Sequence, residues 1–189
     1  MELKDPFAPL VGFDSRKAAQ VASYFALRNN GKIEKLKLIK LMYLAERESM
    51  IRHDHPMFYD EYYSMKDGPV CSSVLNGING NIDRSIWNEY VAHNGNIVIP
   101  VKRLSRDDMD EVSPAEYAIL EELWEKFGRM SASRIRGYTH DHCPEYREVT
   151  SGRLPITYED VFKAVGKKDP SGIASAISEF RKLEAMFHT

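Results

Sequence analysis

The chain has 189 residues, 43% of them hydrophobic and 29% charged, and its 26 basic residues nearly cancel 28 acidic ones to leave a formal net charge of −2. Such a chain is long enough to bury a sizeable core as one compact domain, residues 1–189 with 1–14 as an N-terminal extension, and it offers no global field to draw in nucleic acid or an anionic membrane. No apolar run approaches the roughly 20 residues of a membrane span, the opening "MELKDPFAPLVGFD" lacks a basic-then-apolar leader, and Cys71 and Cys143 stand alone, so a cytoplasmic protein with two reduced thiols is expected.

In chain order, Asp14 or Ser15 can cap a first helix whose apolar side carries Ala18, Val21, Ala22 and Phe25, and Asn30-Gly31 supplies its stop. The segment from about Ile33 to Arg52 is different. Its apolar residues, Leu36, Leu38, Ile39, Leu41, Met42, Tyr43, Leu44 and Ala45, point in nearly every direction on a helical wheel, which predicts a central helix contacted on several sides. Lys37, Lys40, Leu44 and Arg47 share a narrow strip by their three- and four-residue spacing, and that strip is expected to reach solvent or a partner.

The aromatic run from Phe58 to Met65 reads as a short strand, with a turn at Asp67-Gly68-Pro69 and a short helix through Leu75. Asn94-Gly95 between two β-compatible runs predicts a hairpin of strands 85–92 and 96–101. Ser113-Pro114-Ala115-Glu116 is a capping box that opens a helix buried through Tyr117, Leu120, Trp124 and Phe127 and ended by Gly128. A further helix is expected from Ser131 towards His140, interrupted at Pro144. Thr157 and Asp160 open a short one carrying Val161, Phe162 and Val165, and Asp169-Pro170 open the last, buried through Ile173, Ile177, Phe180 and Phe187. The fold class is therefore α+β and predominantly helical: a single domain with a central buried helix and a small antiparallel sheet or hairpin.

Three kinds of chemistry can be weighed. His53 and His55, and His140 with His142 and Cys143, are zinc-binding residue types. Residues two apart diverge by about 200° on a helix, however, so neither His-x-His is a good chelate there, and surface or hydrogen-bonded histidines are the stronger reading. Cys143 beside two histidines suggests a cysteine nucleophile, yet no nucleophile elbow or hydrolase signature accompanies it, and "GINGN" from Gly77 lacks the ending of a P-loop. Lys32, Lys35, Lys37 and Lys40 suggest a DNA footprint, against which stand a solvated strip and lysine stems lying along apolar neighbours; nucleic acid is the weaker reading. A buried lysine would need an acidic partner, for which Asp67 qualifies by residue type.

Taken together, several segments resemble the Panacea, or SocA-like, antitoxin domain of bacteria and their phages. They are Lys37-Leu38-Ile39-Lys40-Leu41-Met42-Tyr43-Leu44-Ala45, Asp67-Gly68-Pro69-Val70, a Trp-containing hairpin at Trp87, "SPAEYAILEELWEKFG", and Thr139-His140 followed by Pro144-Glu145-Tyr146. The resemblance spans about residues 15–185, and it departs at Tyr146, where the family commonly has tryptophan. It implies a mainly helical domain with a small sheet, encoded beside a toxin in an adjacent gene and neutralising that cognate protein by direct binding, with no catalytic residue, cofactor or metal. At least one relative delivers its toxin to a protease, so a bacterial protease is a second implied partner. The motif residues Lys37, Lys40, Tyr43, Asp67, Gly68, Pro69, Val70, Tyr138, Thr139, His140, Pro144 and Tyr146 are then either a polar network fixing the fold or a surface meeting the toxin, with the network weighed above the surface. A zinc- or cysteine-dependent enzyme and a DNA-binding repressor are the alternatives from other classes.

Overall fold

The computed structural model describes residues 12–187, the side chains of Ala185 and Phe187 excepted, so the N-terminal extension up to residue 11 and the burial expected of Phe187 lie outside the described residues. Helix α1 (Ser15–Arg28) begins where the Asp14 carboxylate accepts the Lys17 N–H at 2.9 Å, and it ends at Asn30 and Gly31, both with positive φ. Ala18, Val21, Ala22 and Phe25 are all fully buried. The two-residue strand β1 (Ile33–Glu34) leads directly into helix α2 (Lys35–His53), the spine of the molecule. Every residue of α2 from Lys37 to Glu46 is buried. The helix packs on α1 and on three later elements, strand β3 (Gly68–Cys71) and helices α5 (Pro114–Phe127) and α6 (Ala132–His142), which explains a sequence apolar in all directions.

Strands β2 (Tyr62–Met65) and β3 (Gly68–Cys71) form a hairpin, and α3 (Ser72–Ile78) follows without a break. The pairing of Met65 with Gly68 puts the turn at Lys66-Asp67, so Gly68 and Pro69 stand in the strand and not in the turn expected for them. Phe58 to Glu61 is likewise irregular backbone, pinned by side chains described below.

Helix α4 (Arg84–Tyr90) is a correction of the expected strand 85–92. Trp87 and Tyr90, three residues apart, are buried at 1% and 2% exposure while Ser85, Asn88 and Glu89 are exposed, a helical and not an alternating pattern. The Trp87 ring fills the space over Gly77, where any Cβ would overlap it, and its Nε1 donates to Ser15 Oγ at 3.2 Å. The hairpin is therefore the shorter β4 (Val91–Asn94) and β5 (Ile97–Pro100), closed through Gly95 with φ 58° as Asn94-Gly95 predicts.

Helix α5 (Pro114–Phe127) has the full capping box between Ser113 and Glu116. Helix α6 (Ala132–His142), strand β6 (Leu154–Ile156), helix α7 (Tyr158–Ala164), capped by Thr157 and Asp160, and helix α8 (Pro170–Phe187) follow among the described residues. The strands form two antiparallel sheets, in the orders β1-β5-β4 and β3-β2-β6. On α8, Ile177 is buried, but Phe180 is 45% exposed, against expectation; its ring rests on Tyr59 at 5.4 Å between centroids instead of entering the core. Tyr62 is in the core, whereas Tyr59 and Tyr63 are half-buried. Among the described residues no helix is long and apolar enough to cross a membrane.

Candidate functional site

The polar residues of α2 recur every three positions: Lys37, Lys40, Tyr43, Glu46. At about 100° per residue each step of three falls roughly 60° short of a full turn, so the series winds around the helix and each member meets a different neighbour. Lys37 Nζ donates to the Gly128 carbonyl at 2.7 Å and to Asn29 Oδ1 at 3.0 Å, tying the C-terminal end of α5 to the end of α1. A cation is favoured there by the partial negative charge of the helix end, and the ammonium also lies 5.2 Å from the centre of the Trp124 ring.

One turn on, Lys40 is fully buried and its Nζ donates to the Pro69 carbonyl of β3 at 2.8 Å. Burial pushes its pKa down to about 7, with Asp67 acting in the opposite direction and Arg136 adding to the lowering. Asp67 is exposed and pairs with Arg136 at 3.0 Å, so it influences the amine as a nearby charge without being the hydrogen-bonded partner expected of it. The backbone passes close at Gly68, whose φ is +100° and where a Cβ would lie 3.0 Å from Thr139 Oγ1, 3.1 Å from Lys40 Nζ and 3.2 Å from the His140 ring. Thus the first, second and last sequence motifs meet at one point that only glycine fits.

The third step reaches the segment after α6. Tyr43 Oη donates to Glu145 Oε1 at 2.7 Å, Arg47 Nε reaches the same oxygen at 2.7 Å, and the carboxylate is itself buried. Next door, Tyr146 Oη donates to the Met65 carbonyl at 3.1 Å while its ring tilts against His140 at 4.4 Å. A tryptophan at this position has no hydroxyl for that carbonyl, so the tyrosine adds a tie to β2. Among the described residues the buried His140 Nε2 has no hydrogen-bond partner, and burial, Arg136 and Lys40 all hold its pKa low.

The fourth step is Glu46, fully buried, which accepts the backbone N–H groups of Met57, Phe58 and Asp60, the last two at 3.1 Å. Burial pushes its pKa up to about 8 while those N–H donors pull it back. Asp60, equally buried, repeats the device, accepting the N–H of Glu61, Ser73 and Val74 at 2.7, 2.9 and 2.9 Å, with burial pushing its pKa up to about 6. Glu46 thus holds the irregular backbone at 57–60, and Asp60 satisfies first-turn N–H groups of α3 that have no partner within the helix.

Of the candidate residues, Lys40, Gly68, Pro69, Thr139, His140 and Tyr146 come together. Val70 lies beneath them in the core, Tyr43 joins through Glu145, and Pro144 is exposed at the end of α6. Lys37 serves a separate junction, and Tyr138 faces Phe127, His142 and the Lys126 ammonium. The expectation of an open strip on α2 is overturned, since Lys37, Lys40 and Leu44 are at 6%, 0% and 5% exposure; the strip is covered by α5, α6 and β3. Lys32 alone of the four clustered lysines is well exposed, so they do not present a common basic face. Glu46, Asp60, Arg47, Arg136 and Glu145 were missed as site residues, although Glu46 continues the three-residue spacing of Lys37, Lys40 and Tyr43, which is a visible signal.

For the alternatives, Cys143 is buried and its thiol is pushed up to about 12 by burial and Glu145, the reverse of an activated nucleophile. His53 and His55 stack on each other at 5.9 Å and His55 on Tyr59 at 6.2 Å, and among the described residues no three His, Cys, Asp or Glu side chains converge on a point fit for a metal ion.

A family model described as Antitoxin SocA-like, Panacea domain matches residues 38–145, more than half of the chain. No curated protein and no solved structure shows a significant match.

Proposed function

The chain belongs to the SocA-like, Panacea-domain antitoxin family, and on that premise we propose that it neutralises a cognate protein toxin, encoded by an adjacent gene, by binding it directly. The family match carries this reading. It is supported by the chemistry of the motif residues, which are committed to one another: Lys40 to Pro69, Tyr43 and Arg47 to Glu145, and Glu46 to the backbone at 57–60. In this reading the motifs of α2, Gly68-Pro69 and Thr139-His140 build the scaffold, the surface around them meets the toxin, and neither step calls for catalysis, a metal or a cofactor.

Co-expression tests it. A strain whose growth is arrested by the neighbouring gene should be rescued by this protein, and a tagged copy should bring down the neighbour's product in fixed stoichiometry. Rescue accompanied by disappearance of that product would place delivery to a protease ahead of occlusion. Absence of both rescue and complex would overturn the proposal.

A further inference from the structure

Beside the Lys40–Gly68 contact lies an open cleft of about 450 Å³, between the start of α2, the β2–β3 turn and α3. Its volume is that of a ligand or side-chain pocket. The apolar part is formed by Leu36, Ile39, Met65, Val70 and Leu75, of which Leu36, Met65 and Leu75 remain half-exposed. Lys35, Lys66 and Lys40 line the same cleft together with Glu34 and Asp67. Asp67 is already paired with Arg136 at 3.0 Å, which leaves the Glu34 carboxylate against the Lys35 and Lys66 ammonium groups, a small local excess of positive charge in a chain whose overall net charge is −2. Lys35 spends one donor on Asn79 Oδ1 at 2.7 Å, and an ammonium has three.

We propose that this cleft is where the toxin docks, and that it takes a segment carrying a large apolar side chain flanked by carboxylates. The apolar group would cover Leu36, Met65 and Leu75, and the carboxylates would meet Lys35 and Lys66. This rests on the antitoxin reading above and adds to it a place and a chemistry. An apolar anchor with a rim of complementary charge is the usual division of labour at a protein interface: the anchor gives affinity, the charges give rate and selectivity. Lys40 reinforces the preference from below, because a carboxylate arriving near a buried amine favours its protonated form.

The test is titration of the purified neighbouring-gene product with the full-length wild type, with Lys35→Glu/Lys66→Glu, with Leu36→Ser, and with Lys168→Glu/Lys182→Glu. The last changes net charge equally at exposed positions that do not line the cleft. Thermal unfolding is run on each variant so that only folded protein is compared. The proposal expects the Lys35/Lys66 variant to bind at least tenfold more weakly at low salt, with the difference shrinking as salt rises, and Leu36→Ser to weaken binding at all salt concentrations. The Lys168/Lys182 variant should stay within twofold of wild type. Wild-type binding that all the variants share would overturn the cleft and leave the antitoxin reading standing, as would equal weakening by both charge reversals. A wild type that neither binds nor rescues would overturn both.

Discussion

The Lys40 ammonium, at the centre of α2, donates to the Pro69 carbonyl 2.8 Å away on β3, and no part of the side chain reaches solvent. The lysines inside an otherwise apolar helix are thus cross-links from the spine to its neighbours. Their cost is the desolvation of a charge, and it sets a pH dependence.

The unfolded chain holds the Lys40 proton up to its ordinary pKa of 10.5, whereas the folded protein releases it near 7. Between those values the unfolded state binds more protons, so this residue's contribution to stability rises with pH, and its full penalty is present below about 7. Compared with Lys40→Met in urea denaturation, the wild type should gain on the order of 2 kcal/mol between about pH 6.5 and 9. A difference that stays constant over that range would show the amine to be protonated throughout.

Gly68→Ala places a methyl group against Thr139, Lys40 and His140 on backbone with φ +100°. Destabilisation of about 2–4 kcal/mol is expected from strain and crowding together. Denaturant midpoints measure it, and a loss under about 0.5 kcal/mol would mean that the three motifs do not meet as closely as described.

Glu145→Ala strands Arg47 and the Tyr43 hydroxyl in the interior and should cost about 3 kcal/mol. Tyr43→Phe keeps the Arg47 pair and should cost about 1 kcal/mol. In a double-mutant cycle the two should couple by roughly 1 kcal/mol; additivity would deny the hydrogen bond.

Removing the carboxylate of Glu46 orphans three backbone donors at once. Glu46→Ala should lose about 3–5 kcal/mol and, in hydrogen exchange, should release the amides of Met57, Phe58 and Asp60 ahead of those in α5. Uniform protection across the chain would contradict this.

Much of the architecture was legible because local chemistry and tertiary outcome agree. Asp14, Ser113 and Thr157 each cap the helix their positions suggest, and Asn94-Gly95 closes its hairpin. The all-round apolar wheel of α2 correctly announced a central helix. The same wheel misled about its lysines, because residue type predicts the preference for solvent but not whether an acceptor such as the Gly128 or Pro69 carbonyl waits at the other end. Between Ser85 and Tyr90 the aromatic and β-branched residues suit both strand and helix, and the packing of Trp87 over Gly77 decides for helix. Glu46, Asp60 and Glu145 gain meaning from partners that periodicity does not reveal: backbone N–H groups 11 to 14 residues away for Glu46, those of Ser73 and Val74 for Asp60, and the Tyr43 hydroxyl 102 residues away for Glu145. Phe180 stayed outside because Tyr59 offers it a ring at the surface.

The most direct test of the central claim is calorimetric titration of the purified wild-type protein with the product of the adjacent gene. A saturable heat with fixed stoichiometry, and a single larger species in size-exclusion chromatography, are the predicted result. No heat and no complex, from a protein that remains folded by circular dichroism, would contradict direct neutralisation.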